Sequence, residues 1–359
     1  KMKTEWLNHY WSDHREPLRS RLFAHQPQIA RRIAGTPLAD VVNWLSRRPL
    51  LRRMGEALLG IDAERSLPPF ARETFRQWFD DRHGPAPLRT QAAAERADGP
   101  SRVVLFADTF NGYHTPAPLQ AAVTFLQATG HGVEIPEQQT CCGRTLLSKG
   151  HISEARDRAL RTVEALYPYA DAGRPIVGLE PSCILTLTDE FLDLLPGDPR
   201  AETVAEAACT FDTFVARQVE RGELNDPPPA GEDERGDVLL HGHCHQDALV
   251  GTADTVTALE WAGYGVDALD AGCCGMAGAF GYESEHVPIS KTMAEDRLAP
   301  AVRGAPTQTL IAAPGFSCRS QIHDVTGRTA HHPAELLAAA LSSGPVRPAA
   351  APDAAAGGR

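Results

Sequence analysis

The chain contains one pattern twice, and that duplication restricts the possible folds more than any single motif does. The first unit reads RVVLFADTF, a helical stretch, GHGVEIPEQQTCCG, a second helical stretch (SEARDRALRTVEALYPYA) and PIVGLEPSC. The second reads DVLLHGHCH, DTVTALEWAG, YGVDALDAGCCG, another helical stretch and TLIAAPGFSC. Cys141 precedes Cys273 by 132 positions and Cys183 precedes Cys318 by 135, so matched motifs keep a nearly constant offset. Short β-branched runs alternating with amphipathic stretches predict parallel sheets wrapped by helices. The expected fold class is α/β, with two duplicated parallel-sheet units related by a pseudo-twofold axis.

The duplication also suggests limits: a helical segment over 1–83, a first repeat over 101–225 and a second over 236–342. A Pro/Ala/Gly linker is read over 84–100, an acidic proline-rich linker over 226–236, and a disordered low-complexity tail over 343–359. Within 1–83, Trp6, Leu7, Tyr10 and Trp11 fall at helical spacing, while Pro17, Pro27, Pro37 and Pro49 cut the segment into short helices. Such pieces have little core of their own and should lie across something larger, contributing no metal ligand.

Charge is uneven along the chain. Residues 1–60 hold eleven Lys/Arg against five Asp/Glu, a balance of +6; with a total of −11, the remainder carries −17. An acidic body argues against nucleic acid, which binds basic patches. The basic front end suggests a partner domain or a membrane surface; the arginines of 47–53 are read as a solvated face, with anionic lipid as the alternative. No apolar run reaches the roughly 18–20 residues of a membrane helix. Lys1-Met2-Lys3 is not followed by a signal-peptide core, so a cytoplasmic fragment or processed chain is expected.

The eight cysteines are Cys141, Cys142, Cys183, Cys209, Cys244, Cys273, Cys274 and Cys318. Adjacent pairs bridge poorly within themselves, so a metal or redox role is preferred to disulfides. In the second repeat Cys244, Cys273, Cys274 and Cys318 each follow a strand, where open α/β sheets place their ligands. Four thiolates are the usual complement of an iron–sulfur cluster, and Gly272, Gly275 and Gly315 allow close backbone approach. Zinc held by thiolates with His241, His243 or His245 is the competing reading, and buried structural cysteines a third.

The first repeat is depleted. Thr109 stands where the second has Cys244, which leaves Cys141, Cys142 and Cys183 as a possible second site, with Glu180 nearby as a potential anion. We expect this repeat to support the other rather than hold a cluster. Cys209 is read as a small buried helix residue and His331 and His332 as part of a loop. The alternation of His241, His243 and His245 would set them opposite Cys244 on an extended chain; a turn would bring one toward the site. Arg144, Lys149 and Arg319 are candidates to offset cluster charge, or ordinary surface cations.

With these elements in place, TCCGRTLLSKG…LEPSC and HGHCHQ…GCCGMAGAFGYESEH…GFSCRSQI…HPAELL resemble the duplicated cysteine-rich (CCG) domain. That domain occurs in heterodisulfide reductases, in the iron–sulfur component of glycolate oxidase and in anaerobic glycerol-3-phosphate dehydrogenases. It also forms the C-terminal part of FAD-linked D-2-hydroxy acid (D-lactate) dehydrogenase/iron–sulfur fusions. The opening KMKTEWLNHYWSDHREPLRSRL is similar to the stretch after their last ferredoxin cysteine. The resemblance implies Rossmann-like units, a [4Fe–4S] cluster on Cys244, Cys273, Cys274 and Cys318, and FAD in an N-terminal part absent here. Implied partners are flavin and ferredoxin-like domains of the same polypeptide or complex, and a quinone or other carrier, with attachment at the inner face of the membrane. The implied function is electron transfer for a D-lactate, glycolate or 2-hydroxyglutarate type of dehydrogenase. The alternatives are a heterodisulfide-reductase-like unit acting on a disulfide or thiol, or a zinc-stabilised docking module. The family's fuller pattern has a cysteine at the place of Thr109 and Cys-x-x-Cys where this chain has Glu180-Pro-Ser-Cys183 and Gly315-Phe-Ser-Cys318, which disfavours a five-cysteine noncubane cluster.

Overall fold

The computed structural model describes residues 1–84, 101–138, 141–224 and 235–341. The two linkers, apart from Gly84, Arg235 and Gly236, and the C-terminal tail lie outside those residues.

Among the described residues the chain forms two four-stranded sheets, parallel throughout. The first comprises β1 (Arg102–Phe106), β2 (Gly132–Glu134), β3 (Ile176–Gly178) and β4 (Ala208–Thr210), in the order β2-β1-β3-β4. The second comprises β5 (Asp237–Leu240), β6 (Gly265–Ala268), β7 (Leu310–Ala312) and β8 (Ala330–His331), in the matching order β6-β5-β7-β8. In each, the second strand lies on one side of the first and the third on the other. This reversal opens a crevice at the carboxyl ends of β1 and β3, and of β5 and β7.

Sequence alternation explains how the units join. Val103 and Leu105 of β1 enter one core and Val104 and Phe106 another. Val238 and Leu240 of β5 enter the same core as Val103 and Leu105, whereas Leu239 enters a third. The two sheets therefore share one helical layer. In it the Ala117–Ala128 helix packs on Pro333–Leu341, and Phe211–Glu220 packs on Ala253–Trp261. Each contact joins the helical region after the first strand of one unit to that after the fourth strand of the other, the reciprocity a twofold relation requires.

The fourth strands leave no signature in the sequence. β4 has three residues and β8 two, too short to show a period of two. Cys209 consequently lies in a strand rather than a helix, buried in the shared core, where burial pushes its thiol up to about 11. His331 likewise lies in β8 rather than in a loop.

The N-terminal segment runs through helices Met2–Asp13, Leu18–Ala24, Gln26–Ile33, Pro37–Ser46, Pro49–Leu59 and Phe75–His83. Pro27, Pro37 and Pro49 occupy first turns, where a missing N–H costs nothing. Thr74 and Gln77 form a capping box at the last of these helices. The segment lies across both units: Phe75 and Phe79 enter the shared core, Ala24 meets Leu146 and Leu147, and Phe23 and Leu67 cover the outer core of the second unit. Arg65, 1% exposed, donates to Gln321 Oε1 at 2.7 Å and Ser290 Oγ at 2.8 Å, and its guanidinium is 3.5 Å from Asp324. Arg65→Leu leaves that carboxylate and two buried polar groups short of a partner. It should lower the unfolding free energy by about 3 kcal/mol or more in denaturant titration.

Candidate metal centre

The second-repeat cysteines gather at the crevice between β5 and β7. Cys244 opens the Cys244–Leu249 helix just beyond β5, Cys273 and Cys274 lie in the loop after β6, and Cys318 sits in the first turn of Phe316–Thr326 beyond β7. Cys274 and Cys318 are buried, Cys273 is half-buried and Cys244 is exposed. Ligand atoms of Cys274, Cys318 and His241 all lie within 4.8 Å of one another. Because β5 gives way to a turn and a helix, the three histidines do not share one side of an extended chain. His241 faces the sulfurs, His243 caps the helix by accepting from His245 N at 3.1 Å, and His245 meets Arg144 at 2.9 Å.

The sulfurs divide their charge. Cys273 is pushed down by contacts from Cys244 and Cys274, and Cys318 by Cys274, with His241 assisting against burial. Cys244 is pushed up by its contact with Cys273, and Cys274 by Cys273 and Cys318, with burial adding to both. Burial works against a proton on His241, but Cys318 beside it raises the imidazole overall. Four thiols this close do not all ionise unless a strongly positive centre lies among them. Soft donors and a buried imidazole whose ring nitrogens both lack a hydrogen bond of ordinary geometry fit an iron–sulfur cluster.

The glycine of the Cys-Cys-Gly element has a steric reason here. Gly275 adopts φ +88°, and a Cβ on it would stand 2.2 Å from Ser290 O. Its amide donates to Cys273 Sγ at 3.4 Å. Gly143, its counterpart, adopts φ +76° but has no atom nearer than 3.5 Å to a Cβ.

In the first repeat Thr109 opens the Thr109–Tyr113 helix at the place of Cys244, with Asp108 as its cap. Thr109 Oγ1 is 3.8 Å from Cys141 Sγ. Cys141 is held well above the ordinary thiol range by Cys142 and burial. Cys142 lies high because contact with Cys183 and burial outweigh the opposing pull of Cys141. Cys183 reaches about 11: contact with Cys142 draws it down, but burial and the charges of Asp108 and Glu180 prevail. Burial, with Glu180 adding, also raises Asp108 to about 6.

Glu180 turns toward the other repeat. Its Oε2 accepts from Phe316 N at 2.7 Å, at the start of the Cys318 helix, and Oε1 lies 3.7 Å from His243 Nε2. The His243 ring in turn fills the space a side chain at Gly315 would need, 2.2 Å from its Cβ position. The sequence placed Glu180 and Gly315 at matched positions; only the packing of the units shows that they meet around one histidine. Arg144 pairs with Glu190, Lys149 Nζ with Glu283 at 2.5 Å, and Arg319 with Asn111 and the carbonyls of Ala313 and Pro314.

Two parallel α/β units, each with cysteines gathered at its strand ends, define a duplicated cysteine-rich protein. Residues 107–188 match the cysteine-rich (CCG) domain family model. Over 332 residues it is 27% identical to the C subunit of anaerobic glycerol-3-phosphate dehydrogenase from Escherichia coli, covering 91% of this chain and 78% of that one. It is 26% identical over 339 residues to Escherichia coli D-2-hydroxyglutarate dehydrogenase, covering 93% of this chain and 32% of that one. Lactate utilization protein A of Bacillus cereus is 26% identical over 205 residues, 55% of this chain and 80% of its own length. Two of these relatives are named as a dehydrogenase or a dehydrogenase subunit.

Gly275→Ala places a methyl group against backbone, whereas Gly143→Ala carries mainly the cost of positive φ, about 1 kcal/mol. Denaturant unfolding should show the first to be at least twice as destabilising as the second.

Proposed function

We propose that this chain is the iron–sulfur electron-transfer part of a flavin-dependent D-2-hydroxy acid dehydrogenase, with Cys244, Cys273, Cys274 and Cys318 holding one [4Fe–4S] cluster. The convergence of those four thiols at one sheet edge carries this reading. Similarity to a D-2-hydroxyglutarate dehydrogenase and to a lactate utilization protein supports the substrate class. The bound cluster would supply single-electron transfer. Around it, Cys274, Cys318, His241 and His243 exclude water, while exposed Cys244 leaves one edge open to a donor or acceptor. FAD and a ferredoxin-like domain belong to the rest of the polypeptide or complex, and a quinone or other carrier takes the electrons. Thr109 in the place of a fourth thiol, with the buried carboxylate of Asp108 beside it, favours a supporting role for the first repeat.

Zinc is the second reading, because His241, Cys274 and Cys318 also suit a tetrahedral ion. Anaerobic reconstitution with iron and sulfide separates the two. About four irons per chain and an absorbance near 400 nm that bleaches on reduction are expected, following the four thiolates available. Cys273→Ser should remove nearly all of that iron and Cys141→Ser little of it. Equal losses, or about eight irons, would overturn the one-cluster assignment.

The same reading places the chain, in the cytoplasm, against the inner membrane surface. No described helix is long and apolar enough to cross a bilayer. The Pro37–Ser46 and Pro49–Leu59 helices expose Val41, Trp44, Leu50, Met54 and Leu58, the last 77% exposed, beside Arg47, Arg48 and Arg53. Arg48 lies over the Trp44 ring at 4.0 Å. Apolar side chains with flanking arginines suit an anionic interface. Cosedimentation with phosphatidylglycerol vesicles should fall roughly tenfold in the Trp44→Ser/Leu58→Ser double variant and fall further with salt. Unchanged binding would exclude this face.

A further inference from the structure

His241 is the first residue beyond β5, and its backbone continues the ladder: His241 N donates to Ala312 O at 2.9 Å. That bond fixes the backbone of the residue in the crevice between β5 and β7. The side chain is 1% exposed. A buried imidazole ordinarily satisfies at least one nitrogen, since an unmet donor costs about 1–3 kcal/mol. Here neither Nδ1 nor Nε2 has a hydrogen-bond partner of ordinary geometry among the described residues. Of the other buried histidines of this region, His243 accepts from a backbone amide and His332 reaches Leu179 O at 3.1 Å, while His331 also leaves Nδ1 without a partner among the described residues. What lies beside His241 instead is sulfur, with ligand atoms of Cys274 and Cys318 within 4.8 Å.

The four cysteines already supply one thiolate to each iron of a cubane, so a fifth ligand is not needed. An imidazole carries at least one N–H in either protonation state, and thiolate or sulfide sulfur accepts hydrogen bonds. We propose that His241 is a positioning residue of this centre, giving its ring N–H to the sulfur of Cys318 and thereby raising the reduction potential of the cluster. The inference rests on the cluster assignment made above. Its physical basis is that an N–H directed at sulfur stabilises the added electron of the reduced state more than it stabilises the oxidised state.

The test uses the full chain, reconstituted anaerobically as wild type, His241→Phe, His241→Leu and His241→Gln. Phenylalanine and leucine remove the donor at different volumes, so a packing failure in one leaves the other to report. Glutamine restores an N–H. Iron per chain and the midpoint potential, from a redox titration followed by visible absorbance, are both read. Expected is wild-type iron in every folded variant, a lower midpoint in the phenylalanine and leucine forms, and a midpoint between those and wild type for glutamine. A wild-type midpoint in the phenylalanine or leucine form overturns the proposal, as does loss of iron from both of them, which would make His241 a ligand. A wild-type chain that takes up no iron overturns the cluster assignment and this inference with it.

Discussion

The shared helical layer is the contact on which the rest of the structure depends. Each sheet has two apolar faces, and a sheet of strands two to five residues long cannot cover both by itself. Packing Ala117–Ala128 on Pro333–Leu341 and Phe211–Glu220 on Ala253–Trp261 buries the inner faces of both units at once. It also fixes the crevice of one unit relative to the crevice of the other. Glu180 can therefore meet Phe316 N and His243 across the interface. At roughly 25 cal/mol per Å² of apolar surface, this burial outweighs any single polar contact between the units.

Within that symmetry the two crevices differ chemically. Asp108 and Thr109 stand where His243 and Cys244 stand in the other unit, and Glu180 stands where Gly315 does. The first crevice thus has three thiols, a threonine and the buried carboxylate of Asp108, with Glu180 reaching across to the second unit. The second has four thiols and an imidazole. A centre that accumulates negative thiolate charge is disfavoured by carboxylates and favoured by N–H donors, so one fold yields two unlike environments.

The N-terminal segment illustrates a different dependence. Its proline-opened helices have no core of their own, and their order comes from what they cover. Arg65 is the clearest anchor: a guanidinium of this size is buried only where acceptors such as Gln321 and Ser290 are already in place. Where the segment leaves the body, its helices keep apolar side chains exposed beside arginines, which separates a buried side from an exposed apolar one.

Much of this was legible in the residues. The duplicated motifs and their offsets determined two α/β units, the alternation in VVLF and VLL determined two-sided strands, and the threonine in place of a cysteine determined which repeat lacks a thiol. These are local or pairwise properties, carried by period and spacing. The strands β4 and β8 escaped because two or three residues show no period, and the backbone enters the sheet there only because a neighbouring strand offers it hydrogen bonds. The turn of Glu180 into the other unit, the His243 ring over Gly315 and the burial of His241 beside Cys318 were decided by tertiary structure alone. Each depends on where two segments far apart in sequence come to rest. That is settled by the packing of whole faces, which no single stretch of sequence contains.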